Sequence, residues 1–213
     1  MSKPRVLLAD DHQILAEGLR GLLEPEFDVV AVVADGRQLI AAAKKYQPDV
    51  IVTDVAMPLL NGIEAAAQLR DVGLKSKVVI LTMHCDVAYA RRAMEAGASG
   101  FVLKQSAAAE LVTAVREALR GQTYVTPKIA GELLQSYRAG NSRPQDAEQR
   151  LTTRQREVLQ LLAEGRSAKE VAALLNISTR TAEVHKARIL EALGLSTTAD
   201  LVRYAIRNGI ISV

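Results

Sequence analysis

Five hydrophilic side chains, Asp10, Asp11, Asp54, Thr82 and Lys104, stand at or just past the ends of short apolar runs: Val6-Leu-Leu-Ala, Val50-Ile-Val-Thr, Val78-Val-Ile-Leu-Thr and Gly100-Phe-Val-Leu. Three carboxylates gathered in one place repel one another unless a cation neutralises them or one takes a proton. Mg2+ meets that need, because it prefers oxygen ligands and keeps several waters, so that few protein ligands suffice. Lys104 adds an ammonium and Thr82 a hydroxyl. Together these groups suit a phosphoryl group, whose oxygens need neutralising on several sides. A carboxylate can also be the nucleophile, giving an acyl phosphate. Taken singly, a strand-end Asp caps a helix and a lone Lys is solvated; the combination at four strand ends is what points to chemistry.

The elements that must position these groups alternate regularly. Apolar runs starting at Val6, Val29, Val50, Val78 and Gly100 are followed by helical patterns over 13–23, 38–45, 63–70, 86–95 and 108–119. Five such units with near-continuous apolar strands predict an α/β fold, a doubly wound five-stranded parallel sheet covered by helices on both faces. In that fold, polar residues at the carboxyl ends of strands gather at the topological switch point. Past Gly121 the alternation stops. Pro127 to Tyr137 reads as an amphipathic helix, and 139–150 as a polar linker containing Gly and Pro.

From Leu151 onward the pattern is wholly helical, with helices expected at 153–164, 168–175, 179–193 and 197–207. Thr152 with Gln155 and Ser167 with Glu170 have capping-box spacing, while Gly165 and Gly194 fall where helices should stop. The break at Asn176-Ile-Ser178 is the short turn of a helix-turn-helix. At 100° per residue, Ala182, Ile189 and Leu193 share the inward face of the third helix, with His185 and Lys186 flanking it. Arg180, Val184, Ala187, Arg188 and Glu191 lie opposite, with Glu183 toward them. Arg180, Lys186 and Arg188 can neutralise phosphates or read guanine, and Glu183 can accept from a cytosine amine. His185 fits packing or a phosphate contact better than a metal site.

The 213 residues are 49% hydrophobic and 24% charged, ordinary for one large or two small globular domains. No apolar run approaches the ~20 residues that span a bilayer, and no cleavable apolar segment follows the N-terminus. Cys85 is the single cysteine, read as structural filler in a reducing compartment. A cytoplasmic protein with no membrane partner is expected. Net charge is +3, with 14 basic against 15 acidic residues over 1–125 and 13 against 9 over 126–213. The basic second half suits a polyanion, nucleic acid first.

Leu8-Ala9-Asp10-Asp11-His12, Asp54-Val-Ala-Met57-Pro58-Leu-Leu-Asn61-Gly62, Leu81-Thr82-Met83 and Gly97-Ala-Ser-Gly100-Phe101-Val-Leu-Lys104 resemble, in order and spacing, the motifs of a two-component receiver domain. The resemblance implies Asp54 as phosphoacceptor and Asp10, Asp11, Asp54 and the Ala56 carbonyl as Mg2+ ligands. It also implies Lys104 paired to the phosphoryl group, and a switch in which Thr82 moves toward that group and Phe101 turns inward. Gln105 stands where many receivers carry proline. Leu151 to Val158, Ala163 to Ala172 and Ile177 to His185 resemble the LuxR-type DNA-binding domain. Gln155, Ala168 and Ala182-Glu183 depart from its commoner Glu, Asn and Val-Lys. The order is that of NarL/FixJ-class response regulators.

The resemblance implies a receiver over 4–121, a linker with a short helix over 122–149 and a LuxR-type helix-turn-helix domain over 150–213. It further implies a phosphorylation-controlled transcription regulator, not an enzyme, with a histidine kinase, double-stranded promoter DNA and, when phosphorylated, a second copy of itself as partners. Arg180, Glu183, Val184, His185, Lys186, Ala187 and Arg188 are the expected DNA-facing set. The apolar positions Leu201, Val202, Ala205 and Ile206 suit either a dimer contact or packing in their own core. An aspartyl-phosphate hydrolase would carry a second Asp where Ala56 stands. The other alternative is a DNA-binding protein indifferent to phosphorylation, whose receiver serves only as a dimerisation module; the intact set of five crevice residues argues against it.

Overall fold

Strands buried on both faces have no polar side, and the Val/Ile/Leu runs accordingly form the centre of the first unit. The computed structural model describes residues 2–138 and 151–211. The chain divides into two compact units, Met1–Asn141 and Ser142–Val213. In the first, β1 (Arg5–Ala9), α1 (Gln13–Leu23), β2 (Asp28–Val33), α2 (Gly36–Tyr46), β3 (Val50–Asp54) and α3 (Gly62–Asp71) are followed by β4 (Lys77–Thr82), α4 (Val87–Glu95), β5 (Gly100–Leu103), α5 (Ala107–Leu119), β6 (Tyr124–Val125) and α6 (Pro127–Arg138). The sheet is parallel in the order β2-β1-β3-β4-β5-β6. The chain reverses direction of travel between β1 and β3, which places the switch point between Asp10 and Asp54.

Alternate residues of each strand serve opposite faces. Val6, Leu8, Val52, Leu81 and Val102 pack with Leu19, Leu23 and Leu111 of α1 and α5. Leu7, Ile51, Ile80 and Phe101 pack with Leu39, Ile63, Leu69 and Ala90 of α2, α3 and α4. Cys85 is exposed rather than a packing residue. No helix among the described residues is long and apolar enough to cross a membrane.

The sheet has six strands where the apolar runs predict five. Tyr124–Val125 is too short to make a run of its own, but the free edge of β5 recruits it in register, Gly100 beside Tyr124 and Phe101 beside Val125. The Tyr124 amide donates to Ser99 O (3.0 Å) and the Thr126 amide to Phe101 O (2.9 Å). Helix α6 follows at once, burying Ile129 and Leu133 in the same cluster as Phe101 and the α4 residues Tyr89 and Ala90. The start of the expected linker is thus packed onto the sheet unit; residues 139–149 lie outside the described residues.

The second unit comprises α7 (Thr153–Ala163), α8 (Ala168–Leu175), α9 (Thr179–Leu193) and α10 (Thr198–Arg207). Its core is Val158, Leu159, Leu161, Val171, Leu175, Ala182, Ile189, Leu201 and Ala205. Both expected capping boxes form, and Thr197 with Asp200 adds a third at α10. On α10, Leu201 and Ala205 are spent on this core, whereas Val202 is half-buried and Ile206 exposed.

One close approach ties packing to the crevice. A Cβ on Gly62 would lie 1.9 Å from Asp54 O, because the first turn of α3 rests directly on the end of β3. Neither backbone can retreat. Gly62→Ala is expected to lower the urea midpoint with unchanged m, by about 3 kcal/mol in stability, as overpacking does at its costlier end; an unaltered midpoint would show that the two backbones can part.

Candidate functional site

The ends of β1, β3, β4 and β5 converge. Lys104 Nζ lies 2.6 Å from Asp54 Oδ2 and 2.8 Å from Asp10 Oδ2, and all three side chains are at most 5% exposed. Asp10 Oδ1 accepts from the His12 amide at 2.9 Å. Asp11, less buried, approaches His12 Nδ1 at 2.9 Å. Ligating atoms of Asp10, Asp11, His12 and Asp54 all fall within 4.8 Å of one another. His12 is the crevice neighbour that strand-end reasoning passed over: it lies inside the Asp-Asp-His run, but as the N-cap of α1.

Burial pushes the Asp54 carboxyl up to about 6; Lys104 pulls it down and Asp10 adds to the rise. Burial also opposes the Lys104 charge, but Asp54 and Asp10 outweigh it and hold the ammonium above its ordinary value. Three carboxylates against one ammonium leave the crevice two negative charges in excess, which a divalent cation would cancel. The buried atoms Asp10 Oδ2 and Asp11 Oδ1 accept no hydrogen bond of good geometry. Oxygen donors with open lone pairs, this close together and undercompensated, fit a hard divalent metal.

Local structure holds Asp54 in place. The Val55 amide donates to Leu81 O at 3.0 Å and the Gly62 amide to Val55 O at 2.9 Å, closing the loop after β3. Asn61 caps α3 by accepting from the Glu64 amide. Leu59 sits at φ 66, a left-handed conformation a leucine adopts only when its surroundings impose it. Ala56 is half-buried in this loop, two residues past Asp54.

Thr82 is buried at the end of β4, and its hydroxyl accepts from the His84 amide (3.0 Å) within its own loop. Phe101 is fully buried in the α2/α3/α4 core rather than lining the crevice. Asp10, Asp11, Asp54 and Lys104 are therefore brought together, with Thr82 at the end of the adjoining strand and Phe101 beneath.

In the second unit, Asn176 turns the chain at φ 52, and the Ile177 amide returns to Ala172 O at 3.0 Å, so α8 stops and α9 starts within three residues. Ser178 caps α9 by accepting from the Thr181 amide at 3.1 Å. Arg180, Glu183, Val184, Ala187, Arg188 and Glu191 are exposed, Ala182 and Ile189 buried, and His185, Lys186 and Leu193 half-buried. The facing read from periodicity holds, except that Leu193 is only partly inward. Burial, then Arg154 and Arg188, lower the His185 pKa and favour its neutral form. Sequence reasoning gave Arg154 no role. It donates to Leu175 O at the end of α8 and to Glu157 (2.6 Å), bracing the turn from below. A lone arginine on a first helical turn carries no signal of a contact 21 residues away.

The receiver-domain family of response regulators matches residues 6–116, and the bacterial regulatory proteins of the luxR family match 149–205. The transcriptional regulatory protein DegU of Brevibacillus brevis is 34% identical, covering 100% of this chain and 97% of its own length. A LuxR-family two-component response regulator from Aurantimonas is 40% identical over 64% of this chain and 99% of its own, with a TM-score of 0.61. RcsB of Salmonella enterica serovar Typhimurium, solved bound to a promoter in the presence of the phosphomimetic BeF3-, is 29% identical, covers 95% of this chain and 98% of its own, and has a TM-score of 0.64. With both halves matched in order and relatives aligned end to end, the chain belongs to the response regulators that join a receiver domain to a LuxR-type helix-turn-helix domain, a family of transcription regulators.

Proposed function

We propose that Asp54 of this cytoplasmic protein accepts a phosphoryl group from the phosphohistidine of a histidine kinase, and that the modified chain binds promoter DNA as a dimer through α9. The observation that carries this is the Lys104 ammonium held between Asp54 and Asp10 at the switch point, with Asp11 alongside. An Asp54 carboxylate oxygen attacks phosphorus, the new O–P bond forms as the P–N bond to the kinase imidazole breaks, and the imidazole leaves with the electron pair. Asp10, Asp11, Asp54 and the Ala56 carbonyl would hold Mg2+. When bound, the ion supplies neutralisation of the excess carboxylate charge and of the phosphoryl oxygens.

The product carries nearly two negative charges on its phosphoryl group. Lys104 then pairs with phosphoryl oxygens, and the Thr82 hydroxyl gives up the His84 amide for one of them. At the other end of the chain, Arg180 and Arg188 on the exposed face of α9, with the half-buried Lys186 at its margin, meet phosphates or base edges, beside the exposed Glu183, Val184 and Ala187 and the half-buried His185. Ile206 and Val202, left over from packing on α10, suit the contact with a second copy. Half-sites about one helical turn apart follow from such a dimer.

Incubation with acetyl phosphate and Mg2+ is expected to add the mass of one phosphoryl group to the wild type, and none to Asp54→Asn or to the wild type in EDTA. An adduct retained by Asp54→Asn would move the acceptor elsewhere. Arg180→Ala and Arg188→Ala are each expected to weaken promoter binding and to reduce the slope of log K against log salt by about one if the side chain meets a phosphate. Affinity and slope both unchanged in both variants, measured by fluorescence anisotropy across a salt series, would remove the exposed face of α9 from the interface.

A further inference from the structure

Thr126 lies beyond the span matched to the receiver family, yet its side chain is buried and its hydroxyl has two partners. It accepts from the Leu103 amide at 3.1 Å and donates to Glu110 Oε2 at 2.6 Å. The reason is geometric. Strand β6 ends at Val125, so the Leu103 amide, next along the edge of β5, has no further β6 carbonyl to meet. The threonine hydroxyl stands in for it. The same residue starts α6: the Ile129 and Ala130 amides donate to Thr126 O at 2.9 and 3.1 Å, and Pro127 takes the first helical position. A threonine there ordinarily turns its hydroxyl to its own helix. Here it is turned to the sheet.

One hydroxyl thus joins β5, α5 and the head of α6. Leu103 immediately precedes Lys104 and is the register partner of Thr82, so the bond lies one residue from one proposed switch group and beside the other. An amide-to-hydroxyl-to-carboxylate chain is polarised along its length, and burial first, then the nearby Glu110 carboxylate, raises the Tyr124 pKa on the adjoining β6.

We propose that Thr126 is a positioning residue: it locks the Leu103–Lys104 backbone to the head of α6, so that rearrangement at the crevice is delivered to α6, the last described element before the second unit. The proposal rests on phosphorylation of Asp54 as argued above. Valine at this position keeps the shape but removes both bonds; serine keeps both.

The test uses the full chain as wild type, Thr126→Val and Thr126→Ser, with thermal transitions confirming that each is folded. Each is treated with acetyl phosphate and Mg2+, occupancy is read by intact mass, and hydrogen exchange is followed over 124–138. Wild type and Thr126→Ser are expected to change exchange in the first turns of α6 by at least about fivefold on phosphorylation, and Thr126→Val, at equal occupancy, by less than about twofold. A full response in Thr126→Val overturns the proposal, as does a lost response in Thr126→Ser. Should Thr126→Val not fold, Thr126→Ala, which likewise removes both bonds, takes its place: a response below about twofold supports the proposal and a full response overturns it. Wild type that is phosphorylated without any response in α6 overturns this inference alone, whereas wild type that gains no phosphoryl group overturns the Asp54 reading and this one with it.

Discussion

An ammonium buried between two carboxylates constrains the whole first unit. Taking such charges out of water costs several kcal/mol per ion, which mutual attraction returns only if the geometry is good. The 2.6 Å hydrogen bond from Lys104 to Asp54 supplies that geometry, with Asp10 Oδ2 in ion-pair range at 2.8 Å, and the two contacts demand that β1, β3 and β5 end at the same level. The backbone bonds that close the loop after β3 and the Cβ-free approach of Gly62 to Asp54 serve that alignment. Even so, burial still raises Asp54 against the pull of Lys104. The crevice is undercompensated by construction, which suits it to a cation and to a change of charge.

The two faces of the sheet have different tasks. The α1/α5 face is filled by aliphatic side chains and holds the strands in register. The other face carries Phe101, α4 and α6 in one cluster, so the aromatic under the crevice packs in the same core as the helix that leaves the sheet. Interiors this dense transmit strain rather than absorb it. An interior phenylalanine, a Thr82 still bonded to its own loop and a β6 strand zipped to β5 describe one arrangement, in which motion of the β4 and β5 ends has few places to go other than α4 and α6.

How much of this is legible in the sequence follows the length scale of each signal. Strands buried on both faces announce themselves by composition, and the residues at their ends are dictated by topology, so Asp10, Asp11, Asp54, Thr82 and Lys104 are legible together. The exposed face of α9 is legible because 100° periodicity needs only the helix itself. Tyr124–Val125 is not, since two residues make no pattern and only the waiting edge of β5 turns them into a strand. Arg154 on Leu175 O, and Thr126 between Leu103 and Glu110, join residues far apart in sequence through single polar atoms. Nothing local distinguishes such a threonine from a helix cap.

The second unit poses the opposite problem, too little core rather than too much buried charge. A domain of about sixty residues is marginal by surface-to-volume scaling, and here its helix ends carry much of the specification. Capping boxes open α7, α8 and α10, Ser178 caps α9, and Asn176 and Gly194 in left-handed conformations end α8 and α9. Each cap contributes about 1 kcal/mol, so together they form a sizeable share of a stability of roughly 5–15 kcal/mol. Their structural effect matters more than their sum. With both ends of the α8–α9 turn capped and Arg154 bonded to the last carbonyl of α8, the start of α9 has one direction relative to its core. Arg180, two residues past the Ser178 cap, inherits that direction, which is the fixity that the proposed contact with a base edge from the first turn of α9 requires.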